Sequence, residues 1–243
     1  MPEPITLEVC VDSAQGLATA IEGGADRIEL CSALEIGGLT PSFGLLRIAA
    51  SSRVPVVAMI RPRGGDFCFD ETETQVMLHE IDAVADAGLQ GVVLGASLPD
   101  GGLDARTLER LVRRASDHGL RCTLHRAIDL CPDLAQATAQ AIELGFERIL
   151  TSGGARSAPE GLDGLQRCFD AAAGRITIMP GAGINAGNVN LLRSRLALTD
   201  VHASCSAPLP APSPQVAAFG FDSDGRRQTD SSKVASLKAA LQV

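Results

Sequence analysis

The sequence contains no tryptophan and no tyrosine, and only seven phenylalanines. Its lysines are just Lys233 and Lys238, both near the C-terminus, so a Schiff-base lysine is not expected. Lys and Arg total 21 against 29 Asp and Glu, a net charge of −8. Such a chain has no cationic excess to neutralise phosphates and few rings on which bases stack, which argues against nucleic-acid binding. Long apolar runs are missing too: Val54–Ile60 is among the longest, whereas a membrane span needs about 20 residues. The opening MPEPITLEV has no basic region followed by an apolar stretch, so no export signal is read and a cytoplasmic location is expected. No CxxC pair occurs among the seven cysteines. An odd number at low density reads as reduced thiols rather than a disulfide framework.

What is present is alternation. Strand-like runs fall at Thr6–Val11, Arg27–Cys31, Val56–Arg61, Gly91–Gly95, Arg121–Arg126, Arg148–Ser152, Arg175–Met179 and Val201–Ser204. Helical patterns separate them. Thr40-Pro41, Asp70, Asp104 and Asp133 supply start signals. Gly24, Gly88, Gly119 and Gly145 each stand two or three residues before a strand, where a left-handed residue ends a helix. Alternating β and α units imply a parallel sheet covered by helices. At roughly 150 residues per domain the length is ambiguous, but eight such units fit one closed (β/α)8 TIM barrel over 1–243. An open doubly wound sheet is the alternative. Its nucleotide-binding forms lose support because no GxGxxG follows the first strand and no GxxxxGK[ST] occurs. The proline-rich Ala207–Pro214 begins an extended loop over 207–229, ahead of a last helix at Lys233–Leu241.

Strand residues alternate between faces. Leu7, Val9, Val11, Ile28 and Leu30 form apolar sets that face the helices. Glu8, Cys10, Glu29 and Cys31 then point into the barrel. Two buried carboxylates need partners, and Arg61 and either His125 or Arg126 are the expected ones. Cys10 and Cys31 lie near the C-terminal ends of neighbouring strands, about 4.8 Å apart. With matching register, the two sulfurs and Met59 suit Cu(I). The other reading is that both pack as small hydrophobes.

The turn Arg61-Pro-Arg63-Gly-Gly-Asp66 reads either as an anion clamp or as a structural turn with Arg–Asp pairing. His125 is either an acid or base oriented by Asp129, or a satisfied core histidine. His202 belongs on the same rim, while His79 and His118 read as surface residues. Gly181 and Gly183, after strand 7, stand where many barrels bind phosphate through backbone N–H groups.

Together, LEVCVDS (7–13), GGADRIELCSALEIGGLTPS (23–42), MIRPRGGDF (59–67), HRAID (125–129), GFERILTSG (145–153) and MPGAGI (179–184) resemble one family, the CutC copper homeostasis proteins. The resemblance spans nearly the whole barrel, in order. It implies a cytoplasmic protein of copper homeostasis that binds Cu(I) at positions matching Cys10 and Cys31, assembled as a homodimer or homotetramer. It implies no reaction. Three departures stand out: Ile128 in place of a common Phe, Ala182 in place of a common Gly, and Ala-Ser-Cys-Ser after His202, where relatives often carry a basic residue. Cys68, Cys122, Cys131, Cys168 and Cys205 match no ligand of the family. The residues also support a different class, an enzyme acting on a small anionic metabolite at the C-terminal mouth of the barrel. Glu8, Glu29, Arg61, His125 and Asp129 would form its site, with Arg61 on the anion, His125 as acid or base and Asp129 holding its tautomer.

Overall fold

The computed structural model describes residues 4–220 and 225–242. Eight parallel strands follow one another around a barrel: β1 (Thr6–Val11), β2 (Arg27–Leu30), β3 (Val56–Met59), β4 (Gly91–Leu94), β5 (Arg121–Leu124), β6 (Arg148–Thr151), β7 (Thr177–Pro180) and β8 (Asp200–Ala203). Ladders connect them in the order β7-β6-β5-β4-β3-β2-β1-β8. The end of β7 packs on β8, so the barrel is nearly closed: a Cβ placed on Gly181 would lie 3.3 Å from the His202 Cβ. Several strands are shorter than the apolar runs predict. β3 ends at Met59 and β5 at Leu124, which leaves Arg61 and His125 just beyond the ladders.

The covering helices are α1 (Ala14–Glu22), α2 (Phe43–Ala49), α3 (Glu71–Ala87), α4 (Ala105–Asp117), α5 (Leu134–Glu143), α6 (Leu162–Ala172) and α7 (Val189–Arg193). Asp70, Asp104 and Asp133 cap α3, α4 and α5 through their side chains, as their positions predict. The start of α2 differs. Ser42, not Thr40, is its cap. The Thr40 hydroxyl instead accepts from the Arg61 N–H at 2.8 Å and donates to Glu80 at 2.7 Å. Gly24, Gly88, Gly119 and Gly145 all have positive φ, as four repeated helix exits require.

The segment expected as an extended loop carries structure. β9 (Ser206–Pro208) pairs antiparallel with β10 (Arg227–Thr229), and a short α8 (Pro214–Ala218) starts on Pro214. Residues 221–224 of that segment lie outside the described residues. The last helix, α9 (Ser231–Gln242), buries Val234, Leu237 and Leu241. It seats against α1 where Gly23 has no side chain: a Cβ there would lie 2.6 Å from the Val234 Cβ.

The apolar core is the shell between strands and helices. Leu7, Val9, Val11, Ile28 and Leu30 are fully buried in it, on the face that alternation assigns. Each such side chain contributes about 1.5–3 kcal/mol by leaving water. Inside the barrel is a smaller cluster of Cys31, Val57, Met59 and Val93, with Leu34 packed against it. The rest of the interior is charged, and this positions the site.

Candidate functional site

Glu8 is the centre of the charged interior and has no exposed surface. The parallel register sets Arg27 of β2 beside it on one side and His202 of β8 on the other. The Arg27 guanidinium pairs with Glu8 and reaches Asp200 at 2.6 Å. The His202 Nδ1 lies 2.8 Å from Glu8 Oε1. Burial would raise the Glu8 carboxyl, but the His202 hydrogen bond and the Arg27 charge hold it at about 2. This corrects an expectation, because neither Arg61, His125 nor Arg126 is the partner of the buried carboxylates. Arg27 was legible in principle, since it shares the inward alternation of Glu29 and Cys31.

Cys10 is the Cα partner of Glu29, and Cys31 follows Leu30, the partner of Val11. The two thiols are thus offset by one inward position rather than level. One donor atom each from Cys10, Glu29 and His202 lies within 4.8 Å of the others, a buried potential ligand set among the described residues. The Cys31 thiol approaches Glu29 Oε2 at 3.6 Å, while Glu29 Oε1 is buried without a partner among the described residues. Burial pushes the Glu29 carboxyl up, and burial together with Glu29 pushes the Cys31 thiol well up. Burial works against protonation of His202, yet the Glu29, Cys10 and Glu8 groups raise it well above the ordinary histidine value. Gly38 leaves room beside Cys31: a Cβ there would stand 3.1 Å from its sulfur. The set itself is Cys10, His202 and Glu29, with Cys31 beside it through Glu29; a thiol and an imidazole are donors that suit a soft cation. A cleft of about 1130 Å³, lined by Asp12, Leu34, Ser204, Arg227 and Asp230 among others, reaches Cys10.

The remaining residues singled out in the sequence separate. Arg61, 5% exposed, donates to the carbonyls of Ile36 (2.9 Å), Gly38 (3.1 Å) and Gly65 (2.8 Å). Arg63 pairs with Glu73 and Asp66, the structural alternative for that turn. His125 is 3% exposed, and its Nδ1 accepts from the Ala127 N–H at 3.1 Å. Burial and then Arg61 lower its pKa to about 3, so the ring is neutral at ordinary pH. Asp129 does not orient it. The turn Arg126–Leu130 carries that carboxylate away to Thr151, Ser152, Gly154 and Arg126. Gly181 does not offer its N–H to a ligand, because it donates to Thr151 at 2.9 Å. Gly183 has φ +75 and lies before α7, a helix of only five residues. His79 is well exposed, and His118 is held by Asp82 at 2.8 Å. Sequence reasoning missed Ser97, a buried side chain beyond β4 whose hydroxyl has no partner among the described residues. The inward alternation Val93, Gly95, Ser97 is the signal that finds it.

The chain is similar to known proteins over nearly its whole length. The model of the CutC family matches residues 5–207. A protein of Rhizobium meliloti (strain 1021) named as a CutC family protein is 56% identical over 237 residues, covering 98% of this chain and 96% of the relative. One from Caulobacter vibrioides (strain NA1000 / CB15N) is 49% identical over 239 residues, covering 98% and 97%. A solved CutC structure from Streptococcus agalactiae, provisionally named for copper homeostasis, superposes with a TM-score of 0.77 at 29% identity. That match covers 82% of this chain and 98% of the other. An aldolase, QR15, shares the fold alone, with a TM-score of 0.62 at 14% identity.

Proposed function

The chain belongs to the CutC family, and from that premise we propose that it is a cytoplasmic copper homeostasis protein binding Cu(I) through Cys10 and Cys31. The carrying observation is the placement of both thiols inside the barrel around one carboxylate, Glu29, that has an unpartnered oxygen. Thiolates are the ligands that select Cu(I). A neighbouring imidazole, His202, and the weakly polar Met59 in the same interior support the reading.

Cu(I) is cargo here. Both thiols give up their protons as it binds, and the cleft lined by Cys10 supplies the way in. A reducing compartment is consistent with seven unbonded cysteines. Among the described residues no helix is long and apolar enough to cross a membrane. Assembly as a homodimer or homotetramer belongs to the same reading.

The test is titration with Cu(I) against a competing chelator. The proposal expects one tight equivalent, lost in Cys10→Ser and in Cys31→Ser. Unchanged affinity in both variants would refute it.

A further inference from the structure

A second feature of the barrel mouth is independent of the thiols. Arg61, Ser97 and His125 stand just beyond the ends of β3, β4 and β5, three neighbouring strands. Their exposures are 5%, 4% and 3%. Each has a buried polar atom without a partner among the described residues: Arg61 Nε, Ser97 Oγ and His125 Nε2. All three residues meet Phe67, Arg61 and His125 through their side chains and Ser97 through its backbone. Its ring centroid is 4.7 Å from that of His125 and 4.9 Å from the Arg61 Cζ. Its carbonyl accepts from the Ser97 N–H at 2.9 Å.

The hydrogen chemistry of the three atoms is of one kind. Arg61 Nε is always a donor. His125 Nδ1 accepts from the Ala127 N–H, so the neutral ring carries its proton on Nε2, which is then a donor. The Ser97 hydroxyl is free to donate. A buried donor left unmade costs about 1–3 kcal/mol, and here three occur at the ends of three neighbouring strands. The charge is also unbalanced. Arg61 spends its terminal nitrogens on backbone carbonyls, and among the described residues no carboxylate pairs with it. A buried guanidinium without a counter-ion is expensive.

The local backbone is shaped to keep this arrangement. Gly95 lies under the His125 ring, where a Cβ would come within 2.4 Å of the ring carbon. Gly65, in the loop that carries Phe67, has φ +90 and offers its carbonyl to Arg61.

We infer that Arg61, Ser97 and His125 form a binding site for a small carboxylate, which Phe67 covers. Three donors match the lone pairs of a carboxylate, and one fixed positive charge matches its single negative charge. A phosphate dianion would bring more charge than Arg61 balances, since His125 is neutral. Arg63 adds no free charge, being paired with Glu73 and Asp66. The site does not share residues with the proposed copper ligands, and the two proposals stand or fall separately.

The experiment is a titration of the full chain with sodium acetate, and separately with inorganic phosphate, followed through the 15N signals of the His125 ring. Acetate is expected to saturate and to shift the Nε2 resonance. Ser97→Ala, a mild truncation that leaves the other bonds intact, should weaken acetate about tenfold. Arg61→Gln should abolish binding where it folds. Cu(I) affinity should not change in Ser97→Ala. Absence of saturable acetate binding, preference for phosphate over acetate, or wild-type acetate affinity in Ser97→Ala would each overturn the assignment.

Discussion

Cys10 faces Glu29 across the β1–β2 ladder, Cα to Cα, and Cys31 stands one inward position further along β2. A single carboxylate is therefore within reach of both thiols, at 3.6 Å from the Cys31 sulfur and within 4.8 Å of Cys10. In the proposed Cu(I) complex, proton release accompanies metal binding. The Cys31 thiol is pushed well up by burial and by Glu29, so it must lose a proton to become a ligand. Cu(I) affinity should rise with pH, by up to about tenfold per unit for each proton released. Competition titrations at about pH 6 and about pH 8 check this, and a flat profile would count against thiolate ligation.

Glu8 is the keystone of the interior. Its carboxylate is buried and is held by Arg27 and His202. Glu8→Gln keeps the shape and removes the charge, which leaves Arg27 and His202 undercompensated. Loss of about 3–5 kcal/mol in unfolding free energy is expected, measured by urea denaturation at neutral pH. A change below about 1 kcal/mol would mean that the network contributes little.

Two buried groups make the fold acid-sensitive, with signs that add. The Glu8 carboxyl is lowered to about 2 from 4.5. Its contribution is complete above 4.5 and disappears as the pH falls toward 2. His125 is lowered to about 3 from 6.5, so the unfolded chain takes up the proton first. Its penalty begins as the pH drops below 6.5 and grows until 3. Each effect is on the order of 3–5 kcal/mol. His125→Asn, which retains an acceptor for the Ala127 N–H, should flatten the upper part of the stability–pH curve. An unaltered curve in that variant would show that His125 does not control it.

Gly95 is required by contact rather than by backbone conformation. A Cβ there would collide with the His125 ring, 2.4 Å from its nearest carbon. Gly95→Ala should cost about 1–3 kcal/mol and displace the ring. Thermal unfolding, together with the His125 NMR signals, reads both consequences. A variant with native stability and native ring shifts would contradict the packing described.

The barrel was legible because parallel strands impose a strict inside and outside. Leu7, Val9, Ile28 and Leu30 against Glu8, Cys10, Glu29 and Cys31 are enough to assign both faces. Register was not legible. It depends on how far each strand is sheared against its neighbour, and a shift of one inward position replaced a level thiol pair with a Cys10–Glu29 pair. Partner choice failed for a related reason. Arg27 opens β2 and looks like a surface cation, but it lies level with Glu8 inside the barrel. The His125–Asp129 spacing suggested a pair, yet a tight turn over Arg126–Leu130 redirects the carboxylate to Thr151 and Ser152. The β9–β10 ribbon pairs two three-residue strands with no tight turn between them and no apolar alternation to announce it.

The central claim is that both thiols hold the metal. X-ray absorption at the copper edge of the Cu(I)-loaded protein tests it most directly. Two sulfur neighbours are predicted in the wild-type protein, and Cys31→Ser, which loses the tight equivalent, should show no more than one in whatever copper remains at excess metal. A single sulfur accompanied by nitrogen or oxygen in the wild-type protein, unchanged in Cys31→Ser, would contradict the claim and assign the metal to Cys10, His202 and Glu29 instead.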